Sequence, residues 1–82
     1  TQSSGLALKF EELTVGPNSR LDGVALKDSS IREDFNVIVI AVKKPNGEMV
    51  FNPGPGVVLQ ASDVVITLGD KEQIGRLASA LD

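Results

Sequence analysis

The chain has no cysteine, histidine, tryptophan or tyrosine among its 82 residues. Without cysteine there are neither disulfides nor thiolate metal sites. Without histidine the commonest metal ligand and the commonest general base are both gone, and a serine triad cannot be assembled. Three phenylalanines are the only aromatics, so the core must be built from valine, leucine and isoleucine. No apolar run approaches the roughly 20 residues of a membrane-spanning helix, and no direct membrane insertion is expected. The charge is nearly balanced, with eight basic and eleven acidic residues dispersed along the chain. A binder of nucleic-acid backbones would show a basic face, so no nucleic-acid partner is expected. Lys43-Lys44 is the only adjacent basic pair.

What is present is one small domain, near the lower end of what folds unaided. Its axis is the stretch Asn36 to Lys44. Val37, Ile38, Val39, Ile40, Ala41 and Val42 are apolar at odd and even positions alike. A half-buried strand would alternate, so this pattern predicts burial on both faces. In so short a chain a second copy of the protein is the natural cover for one of them. Pro45-Asn46-Gly47 stops the strand, and Glu48 to Asn52 returns antiparallel as a hairpin.

Before this hairpin, Lys9 to Val15 reads as a strand in which Glu11-Glu12 interrupts the alternation and predicts a bulge. Ser19 is placed to cap a short helix through Leu21, Val24, Ala25 and Leu26, with Asp22 facing its first-turn amides. Ser30-Ile31-Arg32-Glu33 has the form of a capping box, and Asn36 suits a left-handed helix end. After the hairpin, Pro53-Gly54-Pro55-Gly56 must be loop. Val57 to Gln60 and Val64 to Leu68 read as strands. Asp70 then caps a last helix, with Gln73 at the box position and Ile74, Leu77, Ala78 and Leu81 on its buried face. Together these elements predict a small α/β (α+β) fold: a mixed β-sheet with a central hairpin, packed against two to three short helices. Residues 1–8, opening on Thr-Gln-Ser-Ser-Gly, read as a linker or cloning remnant, and 9–82 as the domain.

Chemistry is scarce. Glu11-Glu12 and Glu33-Asp34 are sequence neighbours whose side chains point apart, with no partner base or nucleophile. The Pro-Gly loop lacks the lysine and hydroxyl of a phosphate loop. No catalytic or metal-ligating residue is assigned. What survives is a binding surface at the ends of the hairpin, formed by Lys43, Lys44, Phe51, Asn52 and Pro53. Ammonium groups attract phosphate, an amide reads a base edge, and an apolar side chain covers a purine ring.

The chain resembles the C-terminal domain of the regulator-of-potassium-conductance family, also called the TrkA C-terminal domain. The resemblance runs from Phe10 to Leu81 and is carried by Leu21-Asp22-Gly23, Ile31-Arg32-Glu33-Asp34-Phe35, and the strand Val39 to Lys44. Asn46-Gly47-Glu48 and the run from Val58 to Asp70 complete it. The family usually has glycine where Asn36 and Ser62 stand. The resemblance implies a non-enzymatic, cytoplasmic regulatory domain, held at the inner face of the cell membrane by a channel or transporter of the same or another chain. It also implies a homodimer. In a subset of the family cyclic di-AMP lies between two such domains, and the matching positions here are Ile38, Ile40, Lys43, Lys44, Phe51, Asn52 and Pro53. No cofactor is implied beyond that regulatory nucleotide. The alternative is a ligand-free dimerisation module.

Overall fold

A computed structural model describes residues 8–82. The elements in order are β1 (Leu8–Thr14), α1 (Leu26–Ser29), α2 (Ile31–Phe35), β2 (Ile38–Lys43), β3 (Met49–Phe51), β4 (Val64–Asp70) and α3 (Lys71–Leu81). β1 begins inside the stretch assigned to a linker, and the remainder of that stretch lies outside the described residues.

The four strands form one sheet in the order β1-β4-β2-β3. Every pairing is antiparallel, which corrects the mixed sheet expected from sequence. β1 and β2 do run in the same direction, joined through α1 and α2. β4 inserts between them, so no parallel neighbours meet. A second correction concerns the bulge. β1 pairs with β4 without interruption from Leu8↔Asp70 to Thr14↔Val64. The register shift falls instead in β2, between Val39 and Ala41, opposite the same strand. Glu11 and Glu12 fit a regular edge strand because an edge leaves carboxylates in solvent.

The two faces of the sheet differ. β4 alternates, with Val65, Thr67 and Gly69 buried and Val64, Ile66 and Leu68 half-buried. The buried face carries α3, whose Ile74, Leu77 and Leu81 recur at helical spacing. These residues join Val15, Leu21, Ile31, Phe35, Val37, Val42, Leu59 and Val65 in one aliphatic core. On the opposite face, register sets Phe10 and Ile38 either side of Leu68, and Glu12 and Ala41 either side of Ile66. Phe51 lies beyond Ala41, and Lys43 stands between Val64 and Met49. On this face Phe10, Ile38, Met49 and Phe51 are exposed, while Ala41 between them is buried.

The short segments depart from expectation for local reasons. Gly23 has φ +83°, which no right-handed helix accepts, so Leu21 to Leu26 does not form the helix predicted there. Ser19 instead organises a turn: its Oγ accepts from the Leu21 N–H and donates to the Ala80 carbonyl. Asp22 accepts from the Ala61 N–H at 2.8 Å, across the fold rather than within its own turn. The Val57–Gln60 strand shrinks to one bridge, Ala25↔Val58, because its partner segment turns at Gly23 and enters α1 at Leu26. Ser30 is itself left-handed and makes no side-chain cap. The buried Ser29 does that work, accepting from Ile31 N–H and donating to the Leu26 carbonyl. Asp70 caps α3 through the Glu72 N–H, whereas Gln73 accepts from Arg76 rather than closing a box. Asn36 is left-handed as expected, and Ser62 is too, at φ 53° and 77°.

Gly16 ties the end of β1 to the end of α3. Its N–H donates to the Leu81 carbonyl at 2.7 Å, and an added Cβ would sit 3.0 Å from the carbonyl carbon of Asp82. Backbone cannot step aside as a side chain can. Gly16→Ala is therefore expected to cost about 1–3 kcal/mol, read as a drop of several degrees in unfolding temperature. An unchanged melt would contradict this contact.

Candidate functional site

A cleft lies at the N-terminal end of β2. It encloses about 520 Å³ and is lined by α1, α2, the start of β2 and the Pro53–Pro55 loop. Ligand pockets commonly hold about 300–1,000 Å³. Three local devices build it. Asn36, left-handed at the end of α2, turns the chain so that Val37 enters the core and Ile38 faces outward. The bulge at Ile40 lets its carbonyl accept from the Asn52 N–H at 2.7 Å. Asn52, left-handed at φ 50°, then directs Pro53 toward the cleft. The opposite wall is fastened by backbone bonds, from Leu26 N–H to Val57 and from Lys27 N–H to Pro55.

The walls divide by chemistry. Ile38, Val39, Pro53 and Pro55 give an apolar side, while Lys27 and Arg32 bring two cations and Glu33 one anion. Arg32 lies on α2, whose orientation is set by buried Ile31 and Phe35. Behind it, the Arg76 guanidinium lies 5.1 Å from the centre of the Phe35 ring. Such a site can hold a flat apolar ring against the strand and a negative group against the cations.

Of the residues singled out from sequence, Ile38 and Pro53 line this cleft. Asn52 is exposed beside Pro53. Ile40 is half-buried at the bulge, and Phe51 and Lys43 lie on the uncovered face of the sheet. Lys44 is occupied. Its Nζ donates to Asp63 Oδ2 at 2.6 Å and to the Val58 carbonyl at 3.1 Å. The two cleft cations, Lys27 and Arg32, were not singled out. The signal was available in Arg32, a lone arginine one residue into a predicted helix, but a one-turn helix does not reveal which way it faces.

The same architecture recurs in solved structures. The RCK_C domain dimer of S. agalactiae BusR in complex with c-di-AMP aligns with TM-score 0.81 at 19% identity, covering 88% of this chain and 93% of that one. The RCK C domain of the potassium transport protein KtrA, also in complex with c-di-AMP, gives 0.78 at 24%, covering 88% and 81%. S. agalactiae BusR in complex with its busAB-promotor DNA gives 0.82 at 20%, covering 99% of this chain and 39% of that one. At these identities the likeness establishes the fold. In sequence, 60 residues are 38% identical to potassium channel protein 1 of Methanocaldococcus jannaschii, covering 73% of this chain and 18% of that protein. A further 27% identity over 70 residues relates it to the K(+)/H(+) antiporter subunit KhtT of Bacillus subtilis, covering 85% and 42%. The chain thus spans less than half the length of either relative. The TrkA-C domain model matches residues 10–82, from the first strand through the last helix, and on that match the chain belongs to the TrkA-C domain family.

Proposed function

We propose that this chain is the ligand-sensing regulatory domain of a potassium channel, a potassium-uptake system or a related cation transporter. In this reading it works in the cytoplasm as a homodimer and takes cyclic di-AMP at the cleft beside β2. The observation that carries the reading is the pairing of an apolar strand wall with two cations in one cleft of nucleotide size. The names of the relatives, a potassium channel and a potassium–proton antiporter subunit, support the setting. Two solved neighbours described with c-di-AMP support the ligand class.

Within the cleft, Ile38 and Pro53 cover an adenine ring and the Asn52 amide reads its edge. Arg32 and Lys27 meet a phosphate. Phe51 and Lys43 shape the hairpin from the uncovered side, Ile40 shapes the strand at its bulge, and Lys44 holds the hairpin through Asp63. A ligand bridging two copies moves a gate only by the difference in its affinity for two arrangements of the pair, about 1–3 kcal/mol in typical couplings.

Arg32 provides the test. It is exposed and outside the core, so Arg32→Ala should leave the unfolding temperature within a degree or two. A lost charge-assisted bond is worth about 1.5–3 kcal/mol, and cyclic di-AMP affinity by calorimetry should fall roughly 10- to 100-fold. Undiminished affinity would place the phosphate elsewhere.

A further inference from the structure

The cleft beside β2 carries an anion as well as cations. Lys27, Arg32 and Glu33 line it, all three exposed, whereas Asp28 and Asp34 on the same two helices do not. The lining charge is therefore one net positive. Among the described residues none of these three is drawn into an ion pair. The Glu33 carboxylate is thus not cancelled by a neighbour, and its field reaches whatever enters the cleft. A site built only to attract phosphate gains nothing from a carboxylate, because like charges repel. What the carboxylate does is penalise each further negative charge that a ligand brings, which is a means of specificity rather than of affinity. A phosphodiester carries a single negative charge, matching the net charge of the cleft. A terminal phosphate carries about −1.5 to −2 at neutral pH.

We propose that Glu33 is a specificity-determining residue, through which the cleft accepts phosphodiesters and rejects phosphomonoesters. The inference rests on the nucleotide reading above and adds which chemical form of the nucleotide is taken. Hydrolysis of one of the two phosphodiesters of cyclic di-AMP adds a water across a P–O bond. It leaves a hydroxyl on one sugar and a terminal phosphate on the other. The opened dinucleotide keeps both adenines and gains roughly one negative charge. Glu33 disfavours this opened form, so a single hydrolysis ends the signal although both bases are intact. Arg32 and Lys27 alone would favour it, since they attract the more highly charged phosphate more strongly. Because Glu33 is exposed, the discrimination is a field effect that salt screens.

Calorimetry on the full 82-residue chain tests this, with cyclic di-AMP and its singly hydrolysed linear form as the two probes. The quantity read is the ratio of their affinities. Ring opening has its own conformational cost, but that cost is the same for parent and variant and cancels when their ratios are compared. At about 20 mM salt, where screening extends over roughly 20 Å, the parent should prefer the cyclic form. Glu33→Gln should strengthen binding of both and narrow the preference by about 3-fold or more, while Glu33→Asp should keep most of it. At about 0.5 M salt the ratios of parent and Glu33→Gln should converge. Far-UV circular dichroism should be unchanged in both variants, since Glu33 is outside the core. If Glu33→Gln leaves the ratio as it was, while the parent binds cyclic di-AMP and loses it with Arg32→Ala, the selecting role falls and the nucleotide reading stands. If the parent binds neither probe, both fall.

Discussion

Lys44→Met is expected to be among the most damaging single changes in this domain, although the residue sits on a hairpin end that looks dispensable. Its ammonium lies 2.6 Å from Asp63, whose side chain is 1% exposed. Asp63 Oδ2 also accepts from the Gln60 N–H at 2.9 Å, and Oδ1 is buried without a protein partner. With Lys44 gone, a carboxylate stays buried with one backbone donor and no opposite charge. Breaking a buried pair from one side costs about 3–5 kcal/mol, because the remaining charge is uncompensated. Against a total stability of roughly 5–15 kcal/mol, that is a fifth or more of the whole. Removing both partners, as in Lys44→Met with Asp63→Leu, should recover a large part of the loss. Thermal unfolding of the parent, the single variant and the double variant decides it. Equal melting temperatures for the single variant and the parent would show the pair to be idle.

Phe35→Ala should be comparably costly and should also disable the cleft. Phe35 is buried at the end of α2, among the core residues that α3 packs against. Truncating a buried phenylalanine typically costs about 3–5 kcal/mol. The loss goes beyond packing, because the same ring carries the Arg76 guanidinium and fixes the one-turn helix that presents Arg32. Arg76→Ala removes only the exposed cation and should cost about 1 kcal/mol or less. Cyclic di-AMP affinity should fall in Phe35→Ala even at temperatures where the variant is folded, and should be nearly kept in Arg76→Ala. Retained affinity in folded Phe35→Ala would mean that α2 is oriented by something else.

These two residues also mark how far the sequence could be read. Phe35 was legible: it sits four residues after Ile31, so both fall on one helix face, and the Asn36 stop follows directly. The hairpin was legible for the same kind of reason, since Pro45-Asn46-Gly47 fixes a turn through local chemistry. Lys44 was not. Its partner lies 19 residues away, and nothing local distinguishes it from Lys43, which remains exposed. The doubled apolar pattern of Val37 to Val42 predicts burial on both faces. Within one chain, Val37, Ala41 and Val42 are buried and Ile38 is left out. The bulge at Ile40 shifts the alternation midway, a feature set by pairing with β4 rather than by the strand itself. α2 starts where the sequence predicts, after Ser30, but the hydroxyl that accepts from the Ile31 N–H belongs to Ser29, because Ser30 takes a left-handed backbone. Of the cleft wall, Ile38 and Pro53 were legible in the sequence, whereas Arg32 and Lys27 needed the docking of two one-turn helices to be seen.

The central claim is that the cleft beside β2 is a nucleotide sensor shared by two copies. Calorimetric titration of the purified chain with cyclic di-AMP tests it most directly. Saturable heat at about one ligand per two chains, abolished or strongly weakened in Arg32→Ala, is the expected result. No heat at high micromolar nucleotide, with the chain folded and dimeric, would contradict it and leave a dimerisation module without a ligand.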